Sequence, residues 1–145
     1  MRLFKQFLIC SVIFLTTHSL FADYSTPGTG VSWGLTELVT NSAGTVTFSG
    51  GFYFINSNLT VTSPDTLKIL TNATVKIAQS VTVNTLGTLI INPPDSVKIT
   101  AVDTSLRFQE LRLDDLSDAS VIRKLIFEYS FNGFRMLDCN PLIEQ

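Results

Sequence analysis

The chain has little of the chemistry that most enzymes use. Its 145 residues include one histidine, His18, and two cysteines, Cys10 and Cys139, and only 15% of the residues are charged. His18 and Cys10 both lie in the first 22 residues, which have the features of a removable export signal. The remaining chain then has no imidazole, which excludes histidine-dependent acid–base, relay and metal-binding mechanisms. Its single thiol cannot form an internal disulfide, even in an oxidising compartment.

The N-terminal segment predicts a signal peptide over residues 1–22. Arg2 and Lys5 precede a short apolar run at residues 7–15, which is too short to span a bilayer comfortably. Small Ala22 suits cleavage near that residue, before Asp23. We therefore expect a secreted or cell-surface protein.

Loss of this signal also changes the charge balance. Because Arg2 and Lys5 leave with it, 8 of the 10 basic residues remain against 12 acidic ones. This balance disfavours nucleic acid and anionic membranes as partners. No second apolar segment of membrane length follows residue 22, so we expect no membrane span after signal removal.

Residues 59–80 and 81–102 are related by an internal repeat with a period of 22 residues. Eight pairs are identical at that offset: Thr60/Thr82, Val61/Val83, Thr66/Thr88, Leu67/Leu89, Ile69/Ile91, Val75/Val97, Lys76/Lys98 and Ile77/Ile99. A fixed period in the twenties is typical of stacked supersecondary units that cannot bury their apolar faces alone. An antiparallel β-sandwich gives no reason for identical residues at a constant offset.

Short runs of alternating apolar and polar residues predict strands of three to five residues separated by turns. The predicted fold is all-β, a right-handed parallel β-helix with about 22 residues per coil and a short N-terminal capping helix. In this arrangement like positions stack in columns, which we predict as Tyr53 on Val75 on Val97, Ile55 on Ile77 on Ile99, and outward Lys76 over Lys98.

The region before the repeats predicts a lead-in and a cap over residues 23–44, with the coils occupying 45–145. Leu35, Leu38 and Val39 have the i, i+3, i+4 spacing of one apolar helix face. A helix of about two turns is not stable alone, so it needs an apolar surface such as the open end of a solenoid. We expect the cap to span 33–42, with Trp33 as its anchor.

The densest acidic group is Asp114, Asp115 and Asp118. Three carboxylates could bind Ca²⁺, and a carboxylate pair could serve as the acid and base of a glycosidase. Asp and Ser also form turns, and this run directly follows the strand pattern at Leu111/Leu113, which favours a turn. We therefore keep Ca²⁺ as the weaker interpretation and predict no catalytic residue, no cofactor-binding residue and no cofactor.

Four segments of the chain resemble a known class of proteins. Residues 125–134, with Glu128-Tyr129 and Gly133, and the following Asn140-Pro141 segment look like the repeats of right-handed parallel β-helix proteins secreted by bacteria. Residues 30–33 together with 65–69 resemble the leader of such proteins in Bacteroidetes-like secretomes. The resemblance implies the fold but no activity. Such proteins usually run for several hundred residues, so we expect an N-terminal fragment with further coils beyond Gln145.

Two functions remain open from the sequence. The first is a non-catalytic scaffold or module that binds carbohydrate or other cell-surface components through outer strand faces. The alternative is the N-terminal part of a polysaccharide lyase or glycoside hydrolase whose active coils lie beyond this chain. Further coils with clustered Asp, His and Arg would favour the enzyme, whereas Asn/Ser/Thr-rich coils would favour the scaffold.

Overall fold

The computed structural model describes residues 21–114 and 117–144. The predicted signal lies almost entirely outside the described residues. Within them the chain forms short strands and one helix, in the order β1 (Tyr24–Ser25), β2 (Ser32–Trp33), α1 (Leu35–Asn41), β3 (Val46–Ser49), β4 (Phe52–Ile55), β5 (Leu59–Val61), β6 (Thr66–Ile69), β7 (Ala73–Ile77), β8 (Thr82–Thr85), β9 (Thr88–Ile91), β10 (Val97–Ala101), β11 (Glu110–Leu113), β12 (Val121–Arg123), β13 (Leu125–Phe127), β14 (Phe134–Met136) and β15 (Leu142–Glu144).

These strands form three sheets that run along a parallel β-solenoid. The sheet orders are β1-β5-β8-β11-β14, β13-β10-β7-β4-β3 and β15-β12-β9-β6-β2. Apart from β3 and β4, strands that are consecutive in the chain belong to different sheets. The chain winds through about four turns of about 24 residues each. The all-β parallel solenoid predicted from the sequence is therefore confirmed, and its right hand stays a prediction.

The core lies inside the coil, where the alternating pattern places apolar side chains. Leu67 stacks on Leu89 and Ile69 on Ile91, as the repeat predicts. All four side chains are buried. Burial of a Leu or Ile side chain contributes roughly 1.5–3 kcal/mol, so such columns supply most of the driving force for coil stacking.

The predicted stacking of side chains is wrong for β7 on β10, where the register is displaced by two residues. Val75 pairs with Ile99 and not with Val97, while Tyr53 pairs with Val75 as predicted. Lys76 consequently lies beside Thr100, so the predicted Lys76–Lys98 stack does not exist. The connection before β7 spans residues 70–72, whereas the one before β10 spans 92–96 and is two residues longer. A shift of two residues leaves each side chain on the same face, so the alternation could not reveal it.

One pair of strands departs from the predicted parallel arrangement. β3 and β4 form an antiparallel hairpin, with Val46 opposite Ile55. Gly50 and Gly51 connect them with φ values of 56° and 83°. Two successive positive φ values suit a tight two-residue hairpin turn, and glycine adopts them without steric cost. A Gly-Gly pair between alternating runs is the signal that could have predicted this hairpin.

The capping helix is confirmed, with shorter bounds than predicted. Leu35 and Leu38 are buried and Val39 packs against the same core. Trp33 is not part of the helix, which corrects its predicted place in the cap. It belongs to β2, which pairs with β6 as the start of an incomplete first coil. The helix therefore covers the N-terminal end of the core while residues 24–33 already follow the solenoid path.

Candidate functional site

One concave surface of chemical interest is a groove on the outside of the β13-β10-β7-β4-β3 sheet. Its volume is about 410 Å³, and its lining includes Phe52, Thr74, Lys76, Lys98, Glu128 and Tyr129. We call this surface the outer groove. Because strands in a sheet are about 4.8 Å apart, the three steps from β4 to β13 span about 14 Å. This length suits a short chain molecule lying across the strands.

Two aromatic residues line the groove, one on β4 and one just after β13. The Phe52 side chain, on β4, is 37% exposed, and Tyr129, which follows β13, is 47% exposed. Tyr129 has a φ of 59°, a left-handed backbone conformation that is uncommon for a residue with a side chain. Four other described non-glycine residues also have a positive φ, so at Tyr129 this conformation marks the bend that follows β13.

The charged side chains between the rings have partners. Lys76 Nζ lies 4.0 Å from the centroid of the Phe52 ring, within cation–π range. Lys98 Nζ lies 2.9 Å from Glu128 Oε2, and both side chains are more than a third exposed. An exposed ion pair of this kind contributes about 0–1 kcal/mol, so a ligand could displace it at small cost. The groove therefore offers ring faces, two ammonium groups, one carboxylate and threonine hydroxyls.

The described residues on either side of Asp115 and Leu116 are joined by a backbone hydrogen bond. The Ser117 N–H donates to the Asp114 carbonyl at 2.8 Å, and the Asp114 carboxylate pairs with Arg112 at 2.9 Å. Asp118 accepts a hydrogen bond from the Asn140 N–H at 2.6 Å. Asp115 lies outside the described residues. Among the residues that the structure describes, no group of three His, Cys, Asp or Glu side chains is arranged to hold a metal ion.

A second acidic candidate, Glu110, lies on β11 and is nearly buried. Its Oε2 accepts hydrogen bonds from Asn132 Nδ2 at 2.8 Å and from Arg135 Nη1 at 3.1 Å. Burial raises the pKa of Glu110, but these hydrogen bonds and the positive charges of Arg135 and Arg112 outweigh that effect and lower it. A carboxyl group that stays ionised is poorly suited to act as a general acid. Glu110 instead links β11 to the next coil.

Among the described residues the most deeply buried carboxylate is that of Asp65, which the sequence did not single out as a site residue. Its side chain is 0% exposed. Oδ1 accepts from the N–H groups of Thr29 and Val31 at 2.8 and 2.9 Å, and Oδ2 accepts from the Gly28 N–H and Trp33 Nε1 at 3.0 and 3.1 Å. We call Asp65 with these four donors the Asp65 anchor. It binds the lead-in to the turn before β6.

The electrostatics of Asp65 show what this group can do chemically. Burial raises the pKa of the carboxyl, but the hydrogen bonds from Val31, the Thr26 side chain and the other donors lower it far below its usual value. A carboxylate that accepts several N–H groups is stabilised in its charged form. Because every oxygen is already engaged, Asp65 has a structural role, and proton transfer or metal binding would require breaking the anchor.

The next coil lies directly against this anchor. A Cβ atom at Gly87 would be 2.1 Å from the Asp65 carbonyl oxygen, so only glycine fits there without a backbone shift. The Thr88 N–H, one residue later, donates to that same oxygen at 3.0 Å.

The hydrogen-bond donors of Asp65 lie 32 to 37 residues away in the chain and cannot be assigned from sequence spacing alone. The sequence features that could have pointed to the Asp65 anchor were the glycines before Trp33 and the turn-forming residues Pro64 and Asp65.

Comparison with known proteins gives no indication of function. No protein-family model matches the chain, and neither a curated protein nor a solved structure does. The described part of the chain also has no helix long and apolar enough to cross a membrane.

Proposed function

We propose that this chain is a non-catalytic β-solenoid module of a secreted or cell-surface protein, and that it binds carbohydrate through the outer groove. The observation on which this rests is the pair of exposed rings, Phe52 and Tyr129, on either side of a row of polar side chains. Ring faces provide large contact area at low entropic cost, and a few convergent polar groups fix the orientation of a ligand.

The chemistry of the groove favours binding over cleavage. Glycoside hydrolysis ordinarily requires two carboxylates about 5–10 Å apart. Glu128 is the one carboxylate among the described residues that line the groove, and it is paired with Lys98. Absence of histidine after residue 18 removes the other common proton donor. The likeness of residues 125–134 to secreted bacterial β-helix repeats supports the proposed location outside the cell.

The charge arrangement favours a neutral or weakly acidic glycan. Lys76 is engaged with the Phe52 ring and Lys98 with Glu128, so the groove holds no run of free positive charge. A polyanion would have to compete with Glu128 for Lys98, and the whole chain has more acidic than basic residues. Hydroxyl groups of a neutral sugar can instead hydrogen-bond to Thr74 or to the ion pair without separating opposite charges.

The test is glycan binding by the purified protein and three Phe or Tyr to Ala variants. Oligosaccharides of defined neutral and acidic composition are titrated and binding is followed by calorimetry. Phe52→Ala and Tyr129→Ala are each expected to weaken binding about ten-fold, the loss typical of one buried aromatic anchor. Phe131→Ala is the matched control because its ring is 70% exposed and does not line the groove.

Three results would overturn the proposal. If no glycan binds, or if Phe131→Ala weakens binding as much as Phe52→Ala, then the outer groove is not a carbohydrate site. Release of shortened glycans during long incubation would show catalysis and contradict the non-catalytic assignment. Thermal unfolding of each variant checks that loss of binding does not reflect loss of fold.

A further inference from the structure

The residues next to the predicted cleavage point are part of the folded solenoid. The Ala22 carbonyl accepts hydrogen bonds from Thr45 Oγ1 at 2.7 Å and from Ser57 Oγ at 2.6 Å. Thr45 is 1% exposed and Ser57 is 9% exposed. Buried hydroxyl groups require hydrogen-bond partners, and here both hydroxyls use the same backbone oxygen. Cleavage after Ala22 would remove that acceptor.

The preceding residue also contacts the fold. A Cβ atom added at Gly44, whose φ is 91°, would lie 3.1 Å from the Phe21 ring, so the ring rests directly on this glycine. Following Ala22, Asp23 accepts hydrogen bonds from Asn58 through both carboxylate oxygens, at 3.1 Å each. The pairing of the lead-in with the body of the solenoid therefore already includes Phe21 and Ala22.

The sequence offers a better processing point a few residues earlier. Signal peptidases prefer small residues at the last and third-last positions of the removed segment. Cleavage after Ala22 places Leu20 at the third-last position, which is large. Cleavage after Ser19 places Ser19 and Thr17 at these two positions, four residues beyond the end of the apolar run at Leu15.

We propose that the export signal is removed between Ser19 and Leu20, so that Phe21 and Ala22 stay in the mature protein as part of its fold. This inference rests on the proposed export of the chain. The cut still removes His18 and Cys10, so the mature protein keeps the chemistry deduced above. It replaces Ala22–Asp23 as the processing point predicted from sequence.

The test uses the full chain with its own N-terminus, produced in a bacterial host with a general export pathway. The N-terminus and intact mass of the exported protein are determined for the wild type and for two matched variants, Ser19→Leu and Ala22→Leu. We expect a mature chain that begins at Leu20 in the wild type and in Ala22→Leu. Ser19→Leu should lose this product, because leucine is too large at the last position.

A wild-type product that begins at Asp23 would overturn the inference, as would loss of processing in Ala22→Leu together with normal processing in Ser19→Leu. A wild-type chain that is never processed would contradict export itself, and glycan binding by the purified protein would still test the outer groove separately.

A second measurement is the melting temperature of the exported protein, which Thr45→Val should lower because the hydrogen bond to the Ala22 carbonyl is lost. In a chain that begins at Asp23 the Ala22 acceptor is absent and only the 3.4 Å contact with Ser57 Oγ remains, so the same substitution should lower the melting temperature less.

Discussion

The two ends of the described solenoid are built from similar short strands but are held very differently. At the N-terminal end, helix α1 covers the core and the Asp65 anchor binds the lead-in through four N–H donors. In the last coil, every residue of β15 is exposed and Phe131 is 70% exposed. The difference is whether a coil has a covered face, and in stacked repeats that determines local stability.

The largest expected effect comes from Asp65→Asn, which keeps the shape of the side chain but removes its charge and turns one acceptor into a donor. We expect the free energy of unfolding to fall by about 3–5 kcal/mol, because buried N–H groups lose a charged acceptor. Asp118→Asn is the matched control near the other end. Asp118 is exposed and accepts one N–H, from Asn140, so we expect a loss below about 1 kcal/mol.

Urea unfolding monitored by far-ultraviolet circular dichroism measures both values. Similar losses for the two variants would mean that the lead-in is not anchored by Asp65, and the contrast between the ends would lose its basis.

The next effect tests how closely the second coil approaches the anchor. Gly87→Ala places a methyl group against the Asp65 carbonyl and should cost about 2 kcal/mol, as overpacking usually does. Gly34→Ala is its control, because the added methyl would meet only the end of the flexible Glu37 side chain. That variant should be less stable than the wild type by no more than about 1 kcal/mol, because Gly34 is the helix N-cap and alanine is a poorer N-cap than glycine. Equal thermal stability of the two variants would contradict the close approach.

The pH dependence of stability separates the anchor from ordinary surface carboxylates. The pKa of Asp65 is lowered on folding, so its contribution is complete above the unfolded pKa near 3.8 and is lost as the pH falls below that value. Each such group adds a slope of about 1.4 kcal/mol per pH unit in this range. Glu110, whose pKa is also lowered, adds to the slope.

Unfolding free energies measured between pH 5 and pH 2.5 should therefore fall less steeply in Asp65→Asn than in the wild type. If the dependence of the unfolding free energy on pH were the same in both proteins, the pKa of Asp65 would not be lowered by folding, and the anchor would not stabilise its charged form.

The smallest effect is expected in the last coil. Phe131→Ala removes a ring that is mostly in water, so the unfolding free energy should change by less than about 0.5 kcal/mol. Phe108 is its partner in the previous coil, since the Phe131 N–H donates to the Phe108 carbonyl at 2.8 Å, and Phe108 is fully buried. Phe108→Ala should cost about 3–5 kcal/mol. Comparable losses in thermal unfolding would mean that the last coil is packed as well as the others.

Strand positions were predictable because they depend on local alternation. Pairs such as Leu67/Ile69 and Leu89/Ile91 identify both a strand and its inward face, and the structure confirms both. The helix at Leu35–Asn41 was predictable for the same reason, since its apolar spacing is local. The stacking of coils was predictable as a class because a constant offset relates identical residues.

The register and the anchor were not predictable, because they depend on contacts between distant residues. Turn lengths decide whether Val75 lies beside Val97 or Ile99, and a shift of two residues preserves every inward position. Asp65 looked like an ordinary turn residue until its donors were placed around it. For the outer groove, the sequence predicted only that outward strand faces could bind a ligand. That Phe52 and Tyr129 line the same groove follows only from the true register across four strands.

Amide hydrogen exchange followed by mass spectrometry tests the contrast between the two ends most directly. The account predicts that the amides of Gly28, Thr29 and Val31 are protected as long as those of β6 and β9, whereas β13, β14 and β15 exchange earliest. Asp65→Asn should abolish protection in residues 24–33 and leave the last coil unchanged. Rapid exchange of the lead-in amides in the wild type, at the rate of the last coil, would contradict the account.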